Sequence, residues 1–202
     1  MSTLYILAGP NGGGKTTFYF TAVEEGFIDK NLPFINTDLI TKDELGGYTE
    51  ENFAKAEAIV RNRMADQISK QHDFLIESNL ARQSDYDWLK AIRAKGYSIV
   101  VYFLCTTNIE INIGRVQKRV KEGGHSVPEN IIRDRYNMSL IYLRKEIFDL
   151  EEVHLIENSA ETAEEIALVR NGKLIFKKDN PPEWLKKVLF LLEKVGEKNK
   201  DD

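Results

Sequence analysis

The chain has 202 residues, of which 42% are hydrophobic and 30% charged, and its 28 basic and 32 acidic residues give a net charge of -4. This composition is typical of a globular domain and excludes a disordered or collagen-like chain. The acidic balance offers no general attraction to nucleic acid or anionic lipid and favours a small substrate. No apolar run approaches the ~20 residues of a membrane span, and the N-terminus does not have the pattern of a signal peptide. We expect a cytoplasmic protein that contacts neither nucleic acid nor membrane.

Apolar runs alternate with segments of helical periodicity, which is typical of a parallel sheet connected by helices. Gly123 and Gly124 are expected to end one helix, and Ser126 with Glu129 fits a capping box for the next. The single cysteine, Cys105, lies in an apolar run and is expected to be a buried structural thiol. In chain order, the prediction is a strand at 3–8, a helix from 15, a strand at 32–36, a helix at 48–71, a strand at 73–78, a helix at 86–96, a strand at 97–105, helices at 108–122 and 126–147, a strand at 153–158, a hairpin at 165–178 and a helix at 181–195.

These elements predict one α/β domain over residues 1–202. Its core is a central parallel sheet of about five strands flanked by helices, followed by a C-terminal hairpin and helix. Residues 196–202 are expected to form a flexible charged tail.

The segment GPNGGGKT at 9–16 matches the motif G-x-x-x-x-G-K-[ST] and lies between a predicted strand and a predicted helix. Its glycines allow backbone N–H groups to converge on an anion, and the helix start adds the positive end of its dipole. Lys15 is expected to reach the β- and γ-phosphates and Thr16 to ligate Mg²⁺. We predict a P-loop domain that binds a nucleoside triphosphate through Gly9, Pro10, Asn11, Gly12, Gly13, Gly14, Lys15, Thr16 and Thr17.

Two acidic residues, one just after a predicted strand and one at the end of another, should reach the edge of the sheet where ligands of such folds bind. Asp38, in FINTDLI, can accept the proton of an attacking hydroxyl, or it can cap the next turn. Glu77, in DFLIES, can orient Mg²⁺, bind a substrate hydroxyl or cap the next helix. The residues alone leave these alternatives open.

A basic segment, GRVQKRVKEGGHSVPENIIRDRY, surrounds the double glycine and predicts a kinase-like lid over about 119–135. Arg119 and Arg133 are the candidates for neutralising charge on the transferred phosphoryl group. A solvated helix face with a Glu129–Arg133 pair is the alternative. His125 has no second ligand at a workable spacing, so no metal site is predicted there.

The segments AGPNGGGKTT, NTDLI, IESNLA, AKGYSIVVYFL, RVQKRVKEGGHSVPENIIRDRY and IENS together resemble the zeta-toxin-like P-loop kinases, a group that includes small bacterial proteins called predicted ABC-type ATPases. The resemblance covers roughly residues 4–159. The glycine loop is shared by a very large superfamily, whereas R-V-x-x-R-V-x-x-G-G-H-x-V-P-E is specific to this group.

The resemblance implies an enzyme that uses ATP or GTP with Mg²⁺ to phosphorylate a hydroxyl of UDP-N-acetylglucosamine, with an antitoxin protein as a partner of the toxins. It implies that Lys15 and Thr16 serve the phosphates and Mg²⁺ and that Asp38 is the general base. Glu77 would lie beside the sugar nucleotide, and Arg119 would be the first lid arginine.

The chain also departs from the larger toxins in its lid. Those toxins have a second arginine inside the lid loop, whereas this chain has GGHSVPE there, so Arg133 or Arg135 would have to replace it.

Two other functions are compatible with the motifs. One is a kinase for another small metabolite or an antibiotic, and the other is a nucleotide-hydrolysing switch without a small acceptor. A switch needs a glutamine or an equivalent residue to orient water, and none is evident. A transporter ATPase is not favoured, because the chain has no L-S-G-G-Q-like signature.

Overall fold

The computed structural model describes residues 2–198, with side chains through Lys194. Its centre is a seven-stranded sheet in the order β2-β3-β1-β4-β5-β6-β7. The strands are β1 (Ser2–Ala8), β2 (Phe34–Ile35), β3 (Phe74–Ser78), β4 (Tyr97–Cys105), β5 (Glu152–Glu157), β6 (Glu164–Arg170) and β7 (Lys173–Lys177).

The helices are α1 (Lys15–Glu24), α2 (Thr37–Leu39), α3 (Glu50–Lys70), α4 (Gln83–Arg93), α5 (Ile109–Lys121), α6 (Glu129–Glu146) and α7 (Glu183–Lys198). A π-helical turn, Ile40–Glu44, extends α2, and a 3-10 turn, Ile147–Asp149, extends α6. No helix within the described residues is both long enough and apolar enough to cross a membrane.

Strands β1 to β5 are mutually parallel, as predicted. The sheet is larger than the predicted five strands because the C-terminal hairpin continues it: β6 pairs antiparallel with β5, and β7 with β6. The hairpin turns at Asn171 and Gly172, with φ of +49° and +70°, the left-handed values that a two-residue hairpin turn requires.

Both faces of the sheet are covered, since alternate residues of a strand point to opposite sides. On one face, Leu4 and Ile6 of β1 belong to a large apolar core to which α3, α4, α6 and α7 contribute. On the other face, Leu7 packs in a smaller core with Ala22 of α1. Cys105 is buried, as predicted, and burial raises the pKa of its thiol to about 12.

Two local predictions were wrong. The capping box does not form, because α6 begins at Glu129 with Pro128 at its N-cap, and Ser126 therefore lies too early in the chain. Strand β2 is shorter than the predicted 32–36, because the chain turns into α2 immediately after Asn36. The tail predicted at 196–202 overlaps the end of α7, and residues 199–202 lie outside the described part of the chain.

Candidate active site

The loop after β1 has a backbone shape that strongly favours glycine at three positions. Gly9, Gly12 and Gly14 have φ of +124°, +72° and +87°, in the left-handed region. A Cβ atom on Gly9 would also overlap the carbonyl oxygen of Leu104 in β4. The loop therefore lies against the neighbouring strand and leads directly into α1 at Lys15, where backbone N–H groups and the helix dipole favour an anion.

Three polar side chains hold this loop from behind. Asn158, directly after β5, donates from Nδ2 to the carbonyl oxygen of Gly13 at 2.8 Å. Asn112 of α5 donates to the carbonyl oxygen of Asn11 at 2.7 Å, and Arg135 of α6 donates to Asn11 Oδ1 at 3.0 Å. The shape of the loop is thus fixed by β5, α5 and α6 as well as by its own glycines.

Lys15 is folded over the loop, and its side chain is only 5% exposed. Its Nζ donates to the carbonyl oxygens of Gly9 at 2.8 Å and Pro10 at 3.0 Å, and it lies 3.6 Å from Glu77 Oε1. Burial lowers the pKa of Lys15, and the nearby carboxylate of Glu77 opposes that shift. The Lys15 ammonium group is therefore held by carbonyl oxygens of the anion-binding loop and by the Glu77 carboxylate beside it.

Glu77 is the penultimate residue of β3 and lies near the start of α1, since β3 pairs in parallel with β1. Its Oε2 accepts from Thr16 Oγ1 at 2.8 Å and from Asn36 Nδ2 at 2.8 Å. The Thr16 hydroxyl, at the end of the P-loop, and the Glu77 carboxylate beside it are hard oxygen ligands of the kind that Mg²⁺ binds. The residues fit a Mg²⁺ site, and these contacts favour the metal-orienting alternative for Glu77.

Asp38 lies in α2, and it is not the cap of that turn. The cap is Asn36, whose Oδ1 accepts from the N–H of Leu39 at 3.0 Å. The Asp38 carboxylate is left free to face the cleft, with its Oδ2 3.4 Å from His125 Nδ1 and 4.0 Å from Arg119 Nη1.

The loop, Asp38 and α5 enclose a cleft of about 680 Å³. Arg119 lines it, as the lid prediction requires, and donates from Nη2 to the carbonyl oxygen of His125 at 3.2 Å. Of the other predicted site residues, those on the cleft wall are Asn11, Gly12, Gly14, Lys15, Thr16, Thr17 and Glu77. Gly9, Pro10 and Gly13 form the part of the loop behind that wall.

The structure does not bring Arg133 to the cleft. Its guanidinium group pairs with Glu110 at 2.8 Å and with Glu129 at 2.7 Å, the latter being the helix pair given as the alternative. Residues 133 and 135 are about 200° apart around a helix, so only one of them can face the P-loop. Arg135 is that residue. The prediction that Arg133 belongs to the catalytic group is therefore wrong, because its side chain lies away from the cleft.

Comparison with known proteins decides the family. The sequence model of the Zeta toxin family matches residues 2–171. The chain belongs to the Zeta toxin family. A relative from Haemophilus influenzae, an uncharacterized protein, is 35% identical over 68 residues, which are 33% of this chain and 49% of that protein. The match thus spans about half the length of this curated relative.

Solved structures show that this Zeta toxin family member has the fold of proteins distant in sequence. A structure of AvrRxo1-ORF1:-ORF2 with ATP has a TM-score of 0.66 and 15% identity, covering 96% of this chain and 76% of that one. A structure of the PezAT chromosomal toxin-antitoxin system of Streptococcus pneumoniae has a TM-score of 0.60 and 16% identity, with coverages of 100% and 86%. At these identities the likeness establishes the α/β fold.

Sequence reasoning missed several polar residues of this Zeta toxin family site. Arg115 lines the cleft and donates to the carbonyl oxygen of Ala160 at 3.5 Å. Asn36 and Asn158 each follow a parallel strand directly, and that position was the available signal, because the carboxyl ends of such strands meet at the ligand edge. The role of Asn112 had no sequence signal, since it depends on how α5 packs against the loop.

Proposed function

We propose that this protein is a phosphotransferase that uses ATP or GTP with Mg²⁺ to phosphorylate a hydroxyl of a sugar nucleotide such as UDP-N-acetylglucosamine. The observation that carries the proposal is that the Asp38 carboxylate does not cap a helix and faces the same cleft as the P-loop and Arg119. A hydrolysing switch needs a residue that orients water, whereas a carboxylate placed across from the P-loop provides a base for an alcohol.

In the proposed reaction, the acceptor oxygen forms a bond to the γ-phosphorus while the bond from that phosphorus to the β,γ-bridging oxygen breaks. The proton of the hydroxyl goes to the Asp38 carboxylate, and the nucleoside diphosphate leaves. Lys15 exchanges its carbonyl acceptors for phosphate oxygens, and Arg119 neutralises charge on the transferred group.

Thr16 and Glu77 would hold Mg²⁺, directly or through water. When bound, the ion neutralises charge on the β- and γ-phosphate oxygens. Asn36 supports this arrangement, because its amide donates to Glu77 Oε2 while its Oδ1 caps α2, the helix that carries Asp38. One side chain thus links the candidate metal site to the candidate base.

The proposal has two broader parts, a location and a partner, and the Zeta toxin family match supports the partner. We propose that the protein acts in the cytoplasm and that an antitoxin protein is a partner, as in the toxin-antitoxin system among the structural relatives.

A transfer assay with γ-labelled ATP tests the proposal. The acceptors are UDP-N-acetylglucosamine, other sugar nucleotides and a pooled extract of small metabolites, each with and without Mg²⁺. We expect label on a sugar nucleotide and slow ATP hydrolysis in its absence. Label on a different alcohol would show that the acceptor is not a sugar nucleotide. Rapid hydrolysis without any labelled acceptor would favour a switch.

A further inference from the structure

His125 lies in the lid loop, and its side chain approaches the candidate base, Asp38. The loop, residues 122–128, connects α5 to α6. The imidazole ring packs against Tyr48 and Phe53, with ring centroids 5.3 Å and 5.6 Å away, and it is 15% exposed. These aromatic residues lie just before and within the first turn of α3, so the ring is held from outside the lid.

The double glycine gives the lid loop the path that this contact needs. Gly123 has a φ of +84°, and the N–H of Gly124 donates to the carbonyl oxygen of Arg119 at 2.8 Å. A Cβ atom on Gly124 would overlap the Arg119 side chain. The loop therefore folds onto Arg119, which in turn donates to the carbonyl oxygen of His125.

Nδ1 of His125 is buried and has no well-aligned hydrogen bond, although Asp38 Oδ2 is only 3.4 Å away. A small movement of the lid would align the pair. Burial lowers the pKa of His125, and the carboxylate of Asp38 opposes that shift. A neutral imidazole with its proton on Nδ1 can donate to Oδ2 and leave the other carboxylate oxygen to accept a proton from the acceptor.

We propose that His125 is a positioning residue that fixes the orientation of the Asp38 carboxylate and makes that orientation depend on the lid. The inference rests on the proposed function, in which Asp38 is the base. Because Arg119 and His125 are joined through the lid loop, closing the lid over the nucleotide would place the arginine and orient the base in one movement.

The competing explanation is that His125 only packs between Tyr48 and Phe53. Two variants separate these roles. His125→Phe keeps an aromatic ring but removes the donor, whereas His125→Asn removes the ring but keeps an N–H donor near the place of Nδ1. His125→Gln, whose amide reaches the place of Nε2 instead, replaces the Phe variant if that one does not fold.

Transfer of γ-labelled phosphate to UDP-N-acetylglucosamine is measured together with ATP affinity by calorimetry. We expect His125→Phe to lower kcat about 10-fold with ATP affinity within about 2-fold, and His125→Asn to stay within about 3-fold of wild type. In the Asp38→Asn background, His125→Phe should cause no further loss, because the two residues act as a unit. An equal loss in both backgrounds, or an Asn variant as impaired as the Phe variant, would overturn the proposal.

Imidazole NMR provides a readout that needs no acceptor. The charged and titratable groups that surround the His125 ring are Asp38, Glu77, Tyr48, Arg119 and Arg135. We expect Asp38→Asn to lower the pKa of His125, because a neutral amide removes the opposing carboxylate, while His72 and His154 serve as unchanged internal controls. An unchanged pKa of His125 in Asp38→Asn would contradict the contact between His125 and Asp38. Transfer at the wild-type rate by Asp38→Asn would instead show that the proposed function has failed.

Discussion

At the scale of single residues, the site depends on side chains that each contact more than one partner. Glu77 contacts Thr16, Asn36 and Lys15, and these contacts come from three parts of the chain. The P-loop motif predicted the roles of Lys15 and Thr16, whereas strand position made Glu77 a candidate and left a helix cap open as its alternative. The sequence could not predict that Asn36 caps α2, since NTD offers two equally good capping residues and tertiary contacts decide between them.

Lys15→Ala should abolish nucleotide-dependent turnover, with a loss of about 10³-fold or more, because the transferred phosphoryl group loses its main cation. The sequence alone predicts an unchanged fold. The contacts with Gly9, Pro10 and Glu77 add an expected small fall in the thermal unfolding midpoint. Lys121→Ala, an exposed lysine of α5, is the control with wild-type turnover. Normal turnover in Lys15→Ala would remove the P-loop from the mechanism.

Glu77→Gln should raise the Mg²⁺ concentration that gives half-maximal activity by about 10-fold or more, because an amide is a weaker ligand for a hard cation than a carboxylate. Affinity for ATP without Mg²⁺ should change little. Activity as a function of Mg²⁺ measures the effect, and Thr16→Ser, which keeps a hydroxyl, serves as control. An unchanged Mg²⁺ dependence with a raised KM for the acceptor would show that Glu77 binds the acceptor and does not orient the metal.

At the scale of elements, α5, α6 and the short loop between them form the lid. The helix faces that point toward the P-loop and the cleft determine which arginines can contact the nucleotide. The sequence predicted both helices and the double glycine between them. It misplaced the start of α6, because a proline in the first turn is compatible with either start. Which face of α6 meets the P-loop depends on how the helix packs in the fold, so Arg133 and Arg135 could not be separated without the structure.

Arg119→Ala and Arg133→Ala are a matched pair from these two helices. Arg119→Ala should lower kcat by about 10²-fold or more and raise the KM for ATP less, since the contact strengthens as charge develops. Arg133→Ala should keep kcat within about 2-fold, because Arg133 pairs with Glu110 and Glu129 away from the cleft. Steady-state kinetics in ATP test both, and equal losses would contradict the placement of the lid.

At the scale of the whole molecule, the seven-stranded sheet joins the P-loop half to the C-terminal hairpin and α7. Trp184 of α7 packs against Phe103 of β4, and its Nε1 donates to Glu157 in β5 at 2.7 Å. The alternation of strands and helices predicted the parallel sheet. The addition of the hairpin to the same sheet was missed, although only residues 158–163 separate β5 from β6 and consecutive strands are usually neighbours in space.

One continuous sheet, packed on both faces, predicts one cooperative unfolding transition. ATP should raise its midpoint by on the order of 5 to 10 °C at a hundredfold excess over Kd, since the nucleotide binds only the folded chain. Scanning calorimetry with and without ATP measures both effects. Two separate transitions, of which only one responds to ATP, would contradict the single-domain prediction.

The most direct test of the central claim is the Asp38→Asn variant, measured for ATP affinity by calorimetry and for phosphoryl transfer with labelled ATP. Asparagine keeps the size of the side chain but cannot take the proton of the acceptor hydroxyl. We expect ATP affinity within about 2-fold of wild type and transfer reduced by about 10²-fold or more. A variant that binds ATP normally and transfers phosphate at the wild-type rate would contradict the assignment of Asp38 as the base.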